Sequence, residues 1–369
     1  MKKNLLIYVE DPRFGGPHQY TICILNELKK NFNIKLLTSN KENKIFLKKL
    51  NPKKVNIKIL PLSFLSLKLG NILSYIFFFI YEIFLIRNTI KENKTDIIYS
   101  ISGLYSFKLI ISSLFLKKKI VIHFHDTYCN KFFILLSFFF KNIIDLSVYS
   151  SKKSFFFYSK YIGKKNYLIT PSSINIKKFN KNFKKKKKFF DLITVANINP
   201  VKNLELIIVI ATALKFIKNI RFHIIGKVWQ SQMQYRKKIL KLVEDEKLNN
   251  IIFYNFLNED SIKKKLISSD VYICTSRNES SPVAIWEAMS CYLPIISTDV
   301  GDLKNLNKKY NFGFVIKNKS INNFKKSIIY FYKNKKLREK FGNKSALCVS
   351  NEMNIKKSFK KFEKKLIRL

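Results

Sequence analysis

"FDLITVANINPVKNLELIIVIATALKFIKNIRFHIIGK", Phe190 to Lys227, sets a short apolar run, a turn carrying asparagine and proline, a longer apolar stretch and a second short run in that order. Short runs of β-branched and aromatic residues bounded by turn residues read as strands, and the longer stretch between them reads as a helix. The two strands are then parallel, because parallel neighbours need a long crossover connection.

The same rhythm runs through the chain. Before this stretch come "NLLIYV", a helix over "HQYTICILNELKKN", "IKLLTS", "DIIYSIS", "KIVIHFHD" and "DLSVYS"; after it come a helix around "YRKKILKLVEDEKL" and the runs "NIIFYNF", "VYICTS" and "LPIISTD". Strands that are apolar throughout fit a parallel sheet covered on both faces. A length of 369 residues with 47% hydrophobic content supplies two cores. The five-lysine run Lys184 to Lys188 cannot sit inside either one. The expected organisation is therefore α/β, with one doubly wound domain over residues 1–183 and a second over 189–350. Residues 351–369 form a C-terminal helix set against the first domain. A ligand site is expected in the cleft at the carboxyl ends of the sheets.

The formal charge is +46. A field of that sign attracts phosphate and acidic lipid. The lysines are scattered, however, and lysine, asparagine, isoleucine, phenylalanine and tyrosine are in excess together, which A/T-rich coding alone produces. Neither an arginine-rich arm nor an aromatic RNA-binding signature accompanies them, so nucleic acid is not the expected partner. The five cysteines, Cys23, Cys129, Cys274, Cys291 and Cys348, are odd in number and far apart, which points away from a disulfide framework or zinc site and toward a reducing cytoplasm. The start "MKKNLLIYVED" reads as a first buried strand, its apolar run being too short for a signal peptide. The most membrane-like segment, Leu62 to Ile90, is interrupted by Asn71, Ser74 and Glu82 and is expected to be a buried or interfacial helix. With "KFFILLSFFFKNIIDL" and the surface lysines, it would let the protein rest on an anionic bilayer.

In "RNESSPVAIWEAMSCYLPIISTDVG", Arg277 to Gly301, two glutamates stand eight positions apart. Ser281 followed by Pro282 reads as an N-cap and first helical residue, with the helix running from Pro282 to about Cys291. A helix start suits a phosphate. Glu287, on the second turn, would be placed to accept bonds from ribose hydroxyls, and Glu279, in the preceding loop, would face whatever lies beyond the phosphates. From spacing alone, both are equally well read as solvent-facing residues.

The stretch resembles the Glu-x7-Glu signature of retaining glycosyltransferases with the GT-B fold, of the family 4 type (glycosyl transferases group 1). The resemblance extends in order over nearly the whole chain. It implies that Glu279 binds sugar hydroxyls and Glu287 the nucleotide ribose, with the backbone around Ser280, Ser281 and Val283 meeting the diphosphate or the sugar. The family often has glycine where Pro282 stands. "VANINPVKN" is similar to the family's loop ending in a diphosphate-pairing lysine, here Lys202; its frequent arginine is replaced by Asn197, and Arg277 is a candidate to compensate. "EDPRFGGPHQY" resembles the Gly-Gly loop, with Gly15 and Gly16 allowing close backbone approach and positive φ. "VIHFHDTY" resembles the strand ending in His-Asp, whose histidine, His125, nears the reacting sugar. His123 and His223 are expected to be structural.

The resemblance thus implies a retaining, metal-independent glycosyltransferase with no cofactor. It would move a sugar from a UDP- or GDP-sugar to a glycan or lipid-linked acceptor in cell-surface polysaccharide, lipopolysaccharide or capsule biosynthesis, in the cytoplasm at the inner face of the membrane. Glu279, His125 and Lys202 are its candidate catalytic residues. A competing reading makes the chain a non-catalytic relative, or a basic membrane- or polyanion-binding protein, whose donor site has decayed at Asn197 and Pro282.

Overall fold

The computed structural model describes residues 2–12, 14–39, 44–50, 55–64, 69–176, 188–255, 257–317 and 320–369. Two compact units are formed, Met1–Ser173 with Ile355–Leu369, and Ile174–Asn354. The lysine run expected to divide them lies outside the described residues except for Lys188.

In the first unit, β1 (Lys3–Val9), α1 (Gly16–Leu28), β2 (Phe32–Ser39), α2 (Lys44–Leu50) and β3 (Asn56–Leu60) precede a helical pair, α3 (Leu69–Phe77) and α4 (Phe79–Glu92). Then come β4 (Ile97–Ser100), α5 (Phe107–Ser113), β5 (Lys119–Phe124), α6 (Lys131–Phe140), β6 (Leu146–Tyr149), α7 (Lys152–Ile162) and β7 (Tyr167–Ile169). All seven strands are parallel, in the order β3-β2-β1-β4-β5-β6-β7.

The second unit contains β8 (Phe190–Val195), α8 (Leu204–Ala213), β9 (Ile220–Ile225), α9 (Met233–Asp245), β10 (Ile251–Tyr254), α10 (Glu259–Ser268) and β11 (Val271–Cys274). It continues with α11 (Val283–Ser290), β12 (Ile295–Thr298), α12 (Leu303–Tyr310), β13 (Gly313–Ile316), α13 (Ile321–Lys333) and α14 (Lys335–Glu352). Its parallel order is β10-β9-β8-β11-β12-β13. The last helix, α15 (Ile355–Ile367), belongs to the first unit, where Phe359, Phe362 and Leu366 join Leu5, Ile7 and Tyr99 in one core cluster.

Both sheets are thus doubly wound, and in each the strand order reverses once, at β1/β4 and at β8/β11. A crevice opens at such a reversal because the flanking crossovers lead away to opposite sides.

The helix expected over Leu62–Ile90 is two helices bent by 59° at Phe78. Its buried face carries a charge cluster. Lys108 of α5, fully buried, donates to Glu82 of α4 at 2.5 Å and to the Ser63 carbonyl at 2.6 Å, and lies 3.2 Å from Glu10 at the end of β1. The Tyr8 hydroxyl donates to Glu10 at 2.8 Å, the Ser63 amide donates to Glu82 at 2.7 Å, and the Tyr75 ring lies 3.8 Å from the ammonium. Burial raises the Glu10 carboxyl above its ordinary value, with the Lys108 charge opposing that rise.

Lys108→Met would leave two carboxylates without their cation, which costs about 3–5 kcal/mol. Because the raised Glu10 holds its proton more tightly folded than unfolded, its protonation relieves the variant in acid, and the relief is lost as pH rises through the folded-state value. Urea unfolding should therefore show a larger loss at about pH 8 than at about pH 5.

Candidate functional site

At the β8/β11 reversal the two strands pair only through Val271 with Leu192 and Tyr272 with Ile193. Beyond that, the Tyr272 hydroxyl lies 3.3 Å from the Val195 amide and 3.1 Å from the Val195 carbonyl, occupying the next ladder position with a side chain.

The loop leaving β8 makes a tight turn over Pro200–Lys202, where the Asn199 side chain accepts from the amides of Val201 and Lys202 at 3.0 and 3.3 Å. Asn203, left-handed at φ +51°, then admits the chain to α8. The loop leaving β11 is stitched to it. The Arg277 amide donates to the Val201 carbonyl at 2.7 Å, and the Thr275 hydroxyl to the Lys202 carbonyl at 3.0 Å.

These bonds bring two side chains 77 positions apart into contact: the Lys202 ammonium donates to the Glu279 carboxylate. The same carboxylate oxygen accepts from the Ser276 hydroxyl at 3.0 Å. The side chains keep 23% and 18% of their exposure, so the pair is partly shielded yet open to a ligand. Burial by itself would depress Lys202, but the Glu279 charge and hydrogen bond outweigh it and hold the ammonium above its ordinary value. The pair's contribution is then complete below the unfolded lysine value and is lost only as pH climbs through the raised one. Anion binding that depends on this cation should stay level from about pH 6 to about pH 9 in a titration.

The Glu279 loop rests on the turn after β12. The Gly301 amide donates to the Glu279 carbonyl at 2.9 Å, and the Thr298 hydroxyl donates to the Ser276 carbonyl at 2.7 Å. Gly301 has φ +53°, and a Cβ there would stand 2.4 Å from the Ser280 carbonyl oxygen. Both constraints demand glycine. Gly301→Ala should cost about 1–3 kcal/mol in chemical denaturation through strain in this turn. Any activity that uses Glu279 should fall in the same variant.

Helix α11 begins at Val283 and ends at Ser290, one residue inside the expected span at each end. Ser281 is not its N-cap. Pro282 occupies that position without a side-chain bond, and the Ser281 oxygen instead accepts from the indole of buried Trp286 at 3.1 Å. A five-residue reach to a large aromatic donor has replaced the usual bond to a nearby amide. The first-turn amides of Val283 and Ala284 are those an α-helix leaves without an intrahelical partner, and Glu287 lies half-buried one turn further on.

Lys202, Glu279, Ser280, Ser281 and Val283 therefore gather on two bonded loops and one helix start, with Glu287 on that helix. Asn197 is half-buried on the β8 loop, five positions before Lys202. Arg277 turns its guanidinium to the Asn203 side chain at 3.3 Å. The supports Asn199, Thr275, Ser276 and Gly301 were given no role by the resemblance, and of these only Asn199, an Asx residue before proline, carried a local signal in the sequence.

Gly15, Gly16 and His125 lie in the first unit. Gly15 is extended at φ −152° and caps α1, which Gly16 begins, so the positive φ expected of the pair is not used. His18 fixes this turn: its Nδ1 accepts from the Gly15 amide at 3.3 Å and its Nε2 donates to the Asp11 carbonyl at 2.7 Å. His125, just past β5, stacks on His123 with ring centroids 3.8 Å apart, and Tyr20 stands edge-on to both. Burial, with His18 adding to it, lowers His125 to about 3, so the ring is neutral at neutral pH. Both its nitrogens are buried without a hydrogen-bond partner. His123 bonds the Tyr99 hydroxyl at 2.7 Å, and His223 lies between Asp191 and Tyr254 at 3.0 and 3.1 Å.

Residues 175–347 match the model of the glycosyl transferases group 1 family. No curated protein sequence matches the chain. Solved structures similar over its length include HepE of Anabaena in complex with UDP and glucose, with a TM-score of 0.83 at 14% identity, covering 100% of both chains. Sucrose-phosphate synthase of Thermosynechococcus elongatus is similar with a TM-score of 0.83 at 11% identity, over 100% of this chain and 98% of that one. A variant of S. aureus TarM in complex with fondaparinux, α-GlcNAc-glycerol and UDP has a TM-score of 0.77 at 13% identity, over 99% of each. The chain has the α/β GT-B fold, and the match to the group 1 model falls within its second unit.

Proposed function

We propose that the protein is a retaining glycosyltransferase that moves a sugar from a UDP- or GDP-sugar to a glycan or lipid-linked acceptor in cell-surface polysaccharide, lipopolysaccharide or capsule biosynthesis. The observation that carries this reading is the Lys202–Glu279 pair at the β8/β11 reversal, beside the start of α11. A donor diphosphate arriving there would take Lys202 from Glu279 and neutralise it in turn. The freed carboxylate then accepts bonds from sugar hydroxyls, with Ser276 keeping it oriented. The first amides of α11 add the positive end of a helix dipole to the phosphates, and Glu287 receives the ribose hydroxyls.

Two positive sources aimed at the leaving diphosphate stabilise the charge that develops as the glycosidic bond breaks, so the reaction proceeds without a metal or cofactor. Asn197 supplies a neutral contact where a second cation would otherwise stand. His125, neutral and with both nitrogens unpaired, offers a hydrogen bond to the reacting sugar and no charge. Support for a UDP donor comes from the UDP complexes of HepE and TarM. We place the protein in the cytoplasm, at the inner face of an anionic membrane.

Incubation with a panel of UDP- and GDP-sugars should release nucleoside diphosphate from one of them, undiminished by EDTA. Nuclear magnetic resonance of the product should show the donor's anomeric configuration kept; inversion would refute the retaining mechanism. Lys202→Ala and Glu279→Ala should each lower transfer by about 10²–10³, and full activity in either would overturn the site.

A further inference from the structure

The helical pair α3–α4 is apolar on the face it exposes as well as on much of the face it buries. Its buried side holds Tyr75, Glu82, Ile86 and Thr89, including the carboxylate paired with Lys108. Its exposed side holds Leu69, Leu73, Ile76, Phe77, Ile80 and Phe84, at spacings that keep one stripe running through the bend. Phe77 is 82% exposed and Ile80 75%. From Leu69 to Ile86 the sole charged residue is the buried Glu82. A shallow apolar hollow of about 410 Å³ lies at the elbow, lined by Leu73, Ser74, Ile76, Phe77 and Phe78.

Water does not favour such a stripe, and apolar patches of this kind mark a contact surface. The other face holds the pair to the fold: Tyr75, Glu82 and Ile86 pack into the first unit, and among the described residues no single helix is long and apolar enough to span, although the bent pair reaches that length and apolarity when its two helices are taken together. The rim is cationic. Arg87 donates to the carbonyls of Ser112 and Leu114 at 3.2 and 2.8 Å, fixing to α4 the loop that bears Phe115, 93% exposed, with Lys117 and Lys118. A ring series from Phe79 to Phe107 to Phe140, with centroids 5.7 and 5.1 Å apart, joins α4 to α6. Phe132, Leu135, Phe138 and Phe139 of α6 are exposed as well, and Lys141 covers the Phe138 ring at 4.0 Å.

We propose that the α3–α4 elbow, with the Phe115 loop beside it, is a docking surface that lies in the plane of an anionic lipid bilayer. The apolar stripe sinks to the headgroup and acyl boundary, and the lysines at its rim meet lipid phosphates. The charge selects the occupant: a second copy of this chain would set cationic rims against each other, whereas an anionic bilayer neutralises them. The inference rests on the membrane placement proposed above, but not on the sugar-transfer chemistry. The Lys108 cluster helps keep the stripe outward, because the Glu82 paired with it lies on the same face of α4 as the core residues Ile86 and Ile90.

The test is co-flotation of the full-length protein with vesicles of phosphatidylcholine alone or with about one third phosphatidylglycerol, for wild type and for the doubly substituted Phe77→Glu, Ile80→Glu protein. Both positions are exposed, so the variant keeps its thermal midpoint. Wild type should float with the anionic vesicles and less with neutral ones, and the variant should lose at least about tenfold in partitioning, about 1.4 kcal/mol. Both proteins should bind UDP equally, which separates failure of this surface from failure of the donor site. Equal flotation of the two proteins, no flotation of wild type, or a wild-type dimer that the substitutions split into monomers without any vesicle binding would each overturn the proposal.

Discussion

One ion pair organises the second unit. Lys202 and Glu279 come from loops that leave adjacent parallel strands at the point where the sheet changes direction, and every neighbouring bond serves to bring them together. Asn199 shapes the turn under Lys202, the Thr275 and Arg277 contacts fasten the two loops, and Gly301 lets the β12 turn press against the carbonyls of Glu279 and Ser280. The pair is preformed, so little reorganisation remains for a ligand that exchanges phosphate for carboxylate at Lys202. In the proposed reading, a diphosphate that took Lys202 would free Glu279 for sugar hydroxyls at the same moment, tying the two halves of a nucleotide sugar to one exchange.

The first unit solves a different problem. Its sheet is conventional, yet one helical pair buries a carboxylate beside its core isoleucines and leaves an apolar stripe outward. Three ionisable groups, Glu10, Glu82 and Lys108, are held together away from water and reach from the end of β1 to the bend of α4. Buried ion clusters are poor contributors to net stability. Their effect here is orientational: with Glu82 committed to Lys108, α4 has only one face it can bury. The +46 charge of the chain, much of it scattered, takes on meaning where it borders that exposed stripe.

Much of the fold was legible as periodicity, because central strands of a parallel sheet are apolar on both faces and announce themselves as unbroken runs. β3, β7 and β13 escaped that reading, and all three are edge strands. β3 and β7 are half-exposed along their length, and mixed polarity hides them. The bend at Phe78 was equally hidden, since neither proline nor glycine marks it. In the site, the Glu279 to Glu287 spacing and Lys202 were visible as residue types in order. Their pairing was not, because contact across 77 positions depends on strand order. The Ser281–Pro282 signal pointed to a cap, yet the tryptophan one turn later outcompeted the backbone for the serine oxygen. Gly301 stood in plain view within the quoted stretch, but only the 2.4 Å that a Cβ there would leave to the Ser280 carbonyl oxygen shows why nothing larger fits.

The central claim is that Lys202 is the cation a nucleoside diphosphate binds. Isothermal calorimetry of UDP and GDP with the wild-type protein and Lys202→Ala addresses it without an acceptor or a sugar. The account predicts binding heat with one of the two nucleotides and a loss of at least about tenfold in affinity, about 1.4 kcal/mol, on removing the lysine. No heat with either nucleotide, or an affinity that Lys202→Ala leaves unchanged, would contradict it.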